Sequence, residues 1–458
     1  MHTTPVVEAS APGAVADARW NPVTKLVFLW VFFYVMMAYA LALVAVFPVV
    51  GMVAYYAQQA WVPVVVWVGK GVFGATIQFA PNGSGDTSYN WVQAFCEVCA
   101  SGLLAVGTWA FTWRVKRYGV LWEVLRITVR YVLAINMISY GLAKIFEGQF
   151  PAPEVTRLMQ PYGESSPMGL LWTFMGASKP YTFIAGMAEF VGGVLLLFRR
   201  TTLLGALVVA GVMLNVVLLN FCYDVPVKLF STQLLLMALW LMLPDAGRLL
   251  NVLVLNRPAP PRELAPAWLR GWGGVVRWVV KTPYVLWLMG SMIYGMAQTS
   301  AQFGPGAPRG PLNGAWKVVE FTHDGKVLPA LADDPVRWRV IHIHQAAEGQ
   351  ELPMGGDAVV IAPMTGASKW MKLNVHDATL ELRWFKQRGV DPGPEAPADA
   401  QFTFQLVPRT EDGTGGRLTL DGTVEGKPCK VTLQPVRRED FLLVNRGFHW
   451  VNEFPFNR

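Results

Sequence analysis

Up to about Ser300 the chain alternates long apolar runs with short polar breaks. A membrane span needs roughly 20 apolar residues. Leu26–Val46, Tyr89–Trp113, Trp122–Phe146, Tyr181–Phe198, Leu203–Cys222, the shorter Leu229–Leu243 and Pro283–Thr299 are the predicted spans, about seven in all. Trp61–Phe79 contains Pro63, Lys70 and three glycines, and is predicted to be re-entrant or interfacial. Beyond "GPGAPRGP" (304–311) the periodicity changes. "GAWKVVEF", "VRWRVIHIH", "ATLELRW", "AQFTFQLV" and "GRLTLDGTVEG" are short alternating runs split by Gly, Asp and Pro, which predicts a small all-β barrel or sandwich. The fold class is therefore a membrane all-α bundle followed by a small all-β domain. The predicted boundaries are a disordered tail over 1–22, a transmembrane domain over 23–303, a linker over 304–311 and a β-domain over 312–458.

Composition strengthens the membrane reading. The chain is 53% hydrophobic and 15% charged, whereas soluble domains average about 25% charged residues. Of 38 Lys and Arg, 20 precede residue 306, against 12 of the 31 Asp and Glu. The positive excess thus belongs to the membrane half. "RVKR" (114–117), "RR" (199–200) and the Arg-scattered stretch 248–281 fall on one side if seven spans start inside, as cytoplasmic loops should. That orientation sends the β-domain outside. It also argues against nucleic acid as a partner and for the lipid bilayer. The opening residues lack the basic start of a signal peptide.

Several polar residues stand where an apolar helix has no need of them. Asn136, Tyr140 and Lys144 recur every four residues, with Glu147 three further on, and form one helix face. A polar face within a span turns toward the bundle interior. Lys144 reads either as a site residue or as a snorkelling cation paired with Glu147 or lipid phosphate. Replacement by Arg should preserve a lipid anchor and abolish a site. Glu189 in "GMAEFVGGVLLL" lies well inside its span, where a charge costs about 2.5–3.5 kcal/mol on the insertion scale, so it needs a partner or a proton. In "LNFCYDVPVK" (219–228) Asn220 and Asp224 share a face, and Asp224 and Lys228 are placed to pair across a turn. These helix ends and the "GSGDT" loop share the outer side.

The cysteines and histidines offer weaker readings. "CEVC" spaces Cys96 and Cys99 as a dithiol redox centre would, although cysteines in lipid also serve as small apolar residues. "HIH" puts His342 and His344 on one face of a strand. Two such imidazoles can ligate zinc or copper, but the sequence does not choose a third ligand, and no metal site is assigned. No GxSxG, Walker or Rossmann signature occurs.

"ISYGLAKIFEGQFPAP", "AEFVGGVLLLFRR" and "NFCYDVPVKLFSTQLLLMALWLMLPD" resemble the DoxX-like membrane family over about residues 120–250. The shared pattern is a span ending Gly-x-x-Lys, a Glu-x-x-Gly-Gly span, and two further spans. "PNGSGDTSYNW" and "RGFHWVNEFPFNR" resemble a longer bacterial subgroup with an added lipocalin-like domain. The resemblance implies a four-helix core and links to quinone-coupled sulfur oxidation and disulfide chemistry. It also implies a bacterial inner-membrane location with the C-terminal domain in the periplasm. Through the wider clan it suggests Lys144 as a base beside a quinone. The combined expectation is a quinone- or thiol-linked oxidoreductase with its site at the outer rim. Lys144, Glu189 and Asp224 are then the reactive groups, and Asn136, Tyr140, Glu147, Asn220 and Lys228 bind the ligand. The alternative is a non-catalytic assembly, cargo-handling or lipophilic-ligand-binding protein whose β-domain meets an extracytoplasmic partner.

Overall fold

A computed structural model of the chain describes residues 20–45, 48–79, 83–261, 272–304, 306–347, 356–366, 368–384, 398–409 and 415–457. The expected N-terminal tail lies outside them up to residue 19, as do Pro81 and Asn82. By compactness the chain forms two units. One joins the residues up to Ile145 with Phe183–Tyr294, and the other joins Phe146–Thr182 with Gly295–Arg458.

In chain order the helices are α1 (Pro22–Val44), α2 (Pro48–Phe73), α3 (Ser88–Phe111), α4 (Gly119–Ile145), α5 (Val155–Leu158), α6 (Pro167–Ala177), α7 (Lys179–Leu196), α8 (Thr202–Cys222), α9 (Lys228–Met242), α10 (Ala246–Leu253) and α11 (Trp272–Phe303). Each of the seven predicted spans is a helix. Among the described residues, Pro22–Leu41, Ser88–Phe111, Thr202–Cys222 and Lys228–Leu253 are long and apolar enough to cross a membrane on their own composition. α4 carries Glu123, Arg126, Arg130 and Lys144 instead, and buries Arg130 and Lys144 within the protein. Local signals set the starts. Asn21 accepts from Thr24 N–H at 2.7 Å ahead of Pro22, and Thr87 forms a capping box with Asn90.

The contacts of α2 bear on the ambiguous segment Trp61–Phe79. Trp20 N–H donates to Lys116 O at 3.1 Å, and Lys25 Nζ donates to Trp113 O at 3.3 Å, so α1 begins where α3 ends. The end of α1 and the start of α3 therefore share the opposite side. α2 leaves and returns on that side. It touches the first turns of α3: Gln58 bonds Gln93 at 2.8 Å, Val65 packs with Tyr89, Val92 and Cys96, and Phe73 lies 5.2 Å from the ring of Phe95. At 26 residues α2 is long enough to span, but its contacts fit the interfacial route. After Phe73 the chain folds back, with Ala75 N–H on Gly69 O at 3.0 Å.

α4 and α7 meet backbone to backbone. A Cβ on Gly141 would lie 2.7 Å from both Gly186 O and Phe190 N, and one on Gly193 would lie 2.9 Å from Ala134 O. Small residues at such crossings are what let helices approach in a membrane.

In the second unit the strands are β1 (Gly314–His323), β2 (Lys326–Val327), β3 (Trp338–His344), β4 (Ala358–Pro363), β5 (Lys369–His376), β6 (Thr379–Trp384), β7 (Ala400–Arg409), β8 (Gly415–Val424) and β9 (Lys427–Val436). All neighbours are antiparallel, β1 pairs with β9, and β2 is a short arm on β1. The other eight strands close an up-and-down barrel, so the barrel alternative holds over the sandwich. Asp324–Gly325 and Glu425–Gly426, all with positive φ, make the two-residue turns that match strand twist. Trp316, Phe321, Phe402, Leu418 and Leu433 fill the interior. On β3, Ile341 and Ile343 point into that core, so His342 and His344 occupy the outer face.

Candidate functional site

α4 and α7 bring Lys144 and Glu189 together, although 45 residues separate them. Lys144 Nζ donates to Glu189 Oε2 at 2.6 Å, with side-chain exposures of 8% and 3%. The glycine contacts of Gly141 and Gly186 make this approach possible. Tyr140, one turn earlier, places its ring 5.7 Å from the ammonium. Lys144 is thus neither a snorkelling cation nor a surface pair. A single buried member would be costly, because desolvation of an unpaired ion is not repaid.

Phe230 at the start of α9 carries the cluster onward. Its ring lies 6.5 Å from Tyr140 and 6.5 Å from Tyr39. Tyr39 donates to Gln233 Oε1 at 2.5 Å, and Gln233 Nε2 donates to Tyr34 at 2.7 Å, tying α1 to α9. Glu97 on α3 is buried and accepts from Gln93 Nε2 at 2.8 Å. Among the described residues the helical unit buries the carboxylates of Glu97, Glu189 and Asp245, the last paired with Arg248 at 2.7 Å, along with a set of tyrosine and amide groups. Sequence reasoning missed Glu97, Tyr34, Tyr39 and Gln233. Glu97 carries the same signal as Glu189, a charge inside an apolar run; the tyrosines carry none.

The remaining predicted residues have structural partners. Asn136 spends its amide on Val132 O of its own helix at 2.9 Å. Asn220 donates to Ser231 Oγ at 2.9 Å across the α8–α9 turn. Asp224 has a φ of 51°, a mostly exposed side chain, and the expected ion pair with Lys228 at 2.7 Å. The "GSGDT" loop joins this turn: Asp86 accepts from the N–H groups of Lys228 and Leu229 at 2.7 and 3.0 Å and so caps α9. Glu147 pairs with Lys179 at 3.0 Å. All four cysteines are free thiols; Cys96 packs in the apolar cluster under α2, and Cys99 is exposed. An open cavity of about 280 Å³ lies elsewhere, between Trp20, Lys25, Trp109 and Trp113 at the start of α1.

Residues 125–220, which carry Lys144, Glu189 and the glycine crossing, match the DoxX family. Over 125 residues the chain is 38% identical to the uncharacterized protein YwoB of Bacillus subtilis (strain 168), covering 27% of this chain and 79% of YwoB. The chain belongs to the DoxX family. It is an integral membrane protein of that family with a C-terminal β-barrel. No solved structure matches it. The DoxX segment ends at Asn220, so the Asp86 cap, the Glu97 group and the barrel all lie outside the matched residues.

In the barrel unit of this DoxX protein, His342 and His344 stack at 4.3 Å with planes 9° apart. Burial, aided by His344 and opposed by Glu154, pushes the pKa of His342 down to about 4. Burial lowers that of His344 too; Glu154 opposes the shift and Arg309 adds to it. An unfolded chain takes up these protons near pH 6.5. Barrel stability should thus be complete above pH 6.5 and fall as pH drops toward 4, by on the order of 2 kcal/mol. Thermal unfolding of the intact protein in excess chelator at pH 7 and pH 5 checks this. The acid-induced drop should shrink in His342→Gln; an undiminished drop would place the acid sensitivity elsewhere.

Proposed function

We propose that this protein is a redox-type membrane protein that binds a lipophilic carbonyl compound of the quinone class beside Lys144. The observation that carries the reading is the Lys144–Glu189 pair beside Tyr140, buried in a helical unit. An ammonium held in a low-dielectric site stabilises the negative charge that reduction places on a quinone oxygen. Glu189 holds the ammonium in place, and Tyr140 supplies an aromatic face. The thiol-linked half of the reading has less support, since Cys96 is packed among apolar side chains. The barrel interior is filled by its own side chains, which argues against a ligand passing into it. The competing reading is a protein in which the pair only fixes α4 against α7.

Extraction of lipids and quinones from the purified intact protein, with native mass spectrometry, tests the proposal. Quinone retained by the wild type and lost in Glu189→Gln is the expected result. A wild type free of quinone in a quinone-containing membrane would count against it.

The proposed location is a bacterial inner membrane with the barrel in the periplasm. The Lys/Arg asymmetry supports it. So does the placement of the α1 start beside "RVKR", which keeps the N-terminus on that same side. The segment 146–182 shares a compact unit with the barrel, as it should if both lie outside. In a cysteine-free background, single cysteines at Arg117 and Arg200 should be shielded from an impermeant reagent, and one at Asp377 should react. Reaction at Arg117 with protection at Asp377 would invert the orientation.

A further inference from the structure

Glu154 occupies the N-cap position of α5, yet its carboxylate makes no capping hydrogen bond. Its Oε2 instead lies 3.8 Å from His342 Nδ1 and 3.9 Å from His344 Nε2. Those separations are too long for hydrogen bonds. The three donor atoms nevertheless converge, all within 4.8 Å of one another. His342 is only 8% exposed, and its Nδ1 is buried without a hydrogen-bond partner. Buried polar atoms are rarely left in that condition, because the desolvation cost goes uncompensated. The ring cannot easily turn away. It stacks on His344, which in turn stacks on Trp370 at 5.9 Å with planes 5° apart. Val155, the first residue of α5, is buried, so the segment carrying the carboxylate is anchored.

The geometry points to a divalent transition-metal site of the zinc class, built from Glu154, His342 and His344 on the outer face of the barrel. Two imidazole nitrogens and one carboxylate oxygen are a zinc donor set, and three protein ligands leave a fourth position for water or another ligand. Tetrahedral bonds of about 2.0–2.1 Å set donors roughly 3.3–3.5 Å apart. The carboxylate lies 3.8 and 3.9 Å from the two imidazoles and needs a contraction of only a few tenths of an ångström, while the two imidazole nitrogens, within 4.8 Å of each other, close by rotation of the His344 ring. Calcium and magnesium prefer all-oxygen shells, which this cluster does not offer. Arg309 is close enough to His344 to act on its charge, and the carboxylate of Glu154 offsets that cation. The site does not depend on quinone binding, since all its ligands lie in the barrel unit.

The test uses full-length untagged protein in detergent, stripped of metal and titrated with Zn²⁺ against a chromophoric chelator. The wild type should take up one high-affinity equivalent. Glu154→Gln and His344→Gln should each weaken binding by at least about tenfold, whereas His376→Gln, at the far end of β5, should not. Because the Glu154 side chain is 56% exposed, its replacement leaves the barrel core untouched and separates ligand loss from unfolding. Co²⁺ provides a second readout, its visible absorption appearing with the wild type and not with Glu154→Gln. Absence of stoichiometric Zn²⁺ uptake by the wild type, or an unchanged affinity in Glu154→Gln, overturns the proposal.

Discussion

Lys144→Met and Glu189→Leu should each destabilise the helical unit by about 3–5 kcal/mol, while the double variant regains most of the loss. Removing one member of a buried ion pair strands the other charge in a medium that cannot solvate it. Removing both leaves an apolar contact of similar volume, which costs little and can even stabilise. The pair has the geometry for this outcome: a 2.6 Å contact with both side chains almost fully enclosed. Thermal unfolding in detergent measures the stability cycle, and quinone retention or the phenotype of a null strain measures function. A stable double variant without function makes the pair a site. A stable double variant with full function reduces it to a helix staple and favours the assembly-protein alternative. Single variants as stable as the wild type would mean that the pair is solvated or otherwise compensated. The Lys144→Arg test that the sequence suggests loses its discriminating power here. The Lys144 side chain is only 8% exposed and its Nζ already lies 2.6 Å from a carboxylate that is itself 3% exposed, so the enclosure itself would reject a longer, forked side chain. Failure of the Arg variant would then follow from packing as readily as from chemistry.

The long apolar runs made the helices legible, because length and hydropathy suffice to mark a span. The route of α2 was only half legible. Its proline and glycines warned against a simple span, but the contacts with Gln93 and Phe95 that place it are long-range. In the barrel, β1, β3, β6, β7 and β8 announced themselves by alternation. β4 did not, since "AVVIAP" is buried at every position and has no period of two. Lys144 and Glu189 were each visible as charges in apolar surroundings, yet nothing in the sequence says that they are partners. Asp86 and Glu154 show the limit more sharply. Each lies in a loop where acidic residues are ordinary, and each acquires its role from a backbone or a strand more than 100 residues away. Asp224 illustrates the opposite case. Its local pairing with Lys228 was readable from the four-residue spacing, and what the spacing could not reveal was the exposed turn that holds it.

Gly141→Leu and Gly193→Leu are expected to prevent stable accumulation of the protein, whereas Gly211→Leu and Gly107→Leu are expected to be tolerated. Overpacking an ordinary core costs about 1–3 kcal/mol because side chains can shift aside. At Gly141 the obstacles within 2.7 Å are the Gly186 carbonyl and the Phe190 amide, and at Gly193 they include Ala134 O at 2.9 Å. Backbone atoms of a hydrogen-bonded helix have no rotamers to change, so α4 and α7 must separate. Separation also pulls Lys144 from Glu189 and adds the cost of two unpaired buried charges to the steric one. Gly211 and Gly107 have no atoms within 4 Å of an added Cβ, so the same substitution there adds an apolar side chain to open space. Membrane-fraction immunoblots and size-exclusion profiles of the four variants provide the comparison. Even Gly141→Ala should lower the thermal midpoint, since its Cβ alone meets both backbone atoms. Wild-type accumulation and a wild-type profile for Gly141→Leu would mean that the two helices do not pack through these glycines, and the close approach that places Lys144 against Glu189 would have to be abandoned with them.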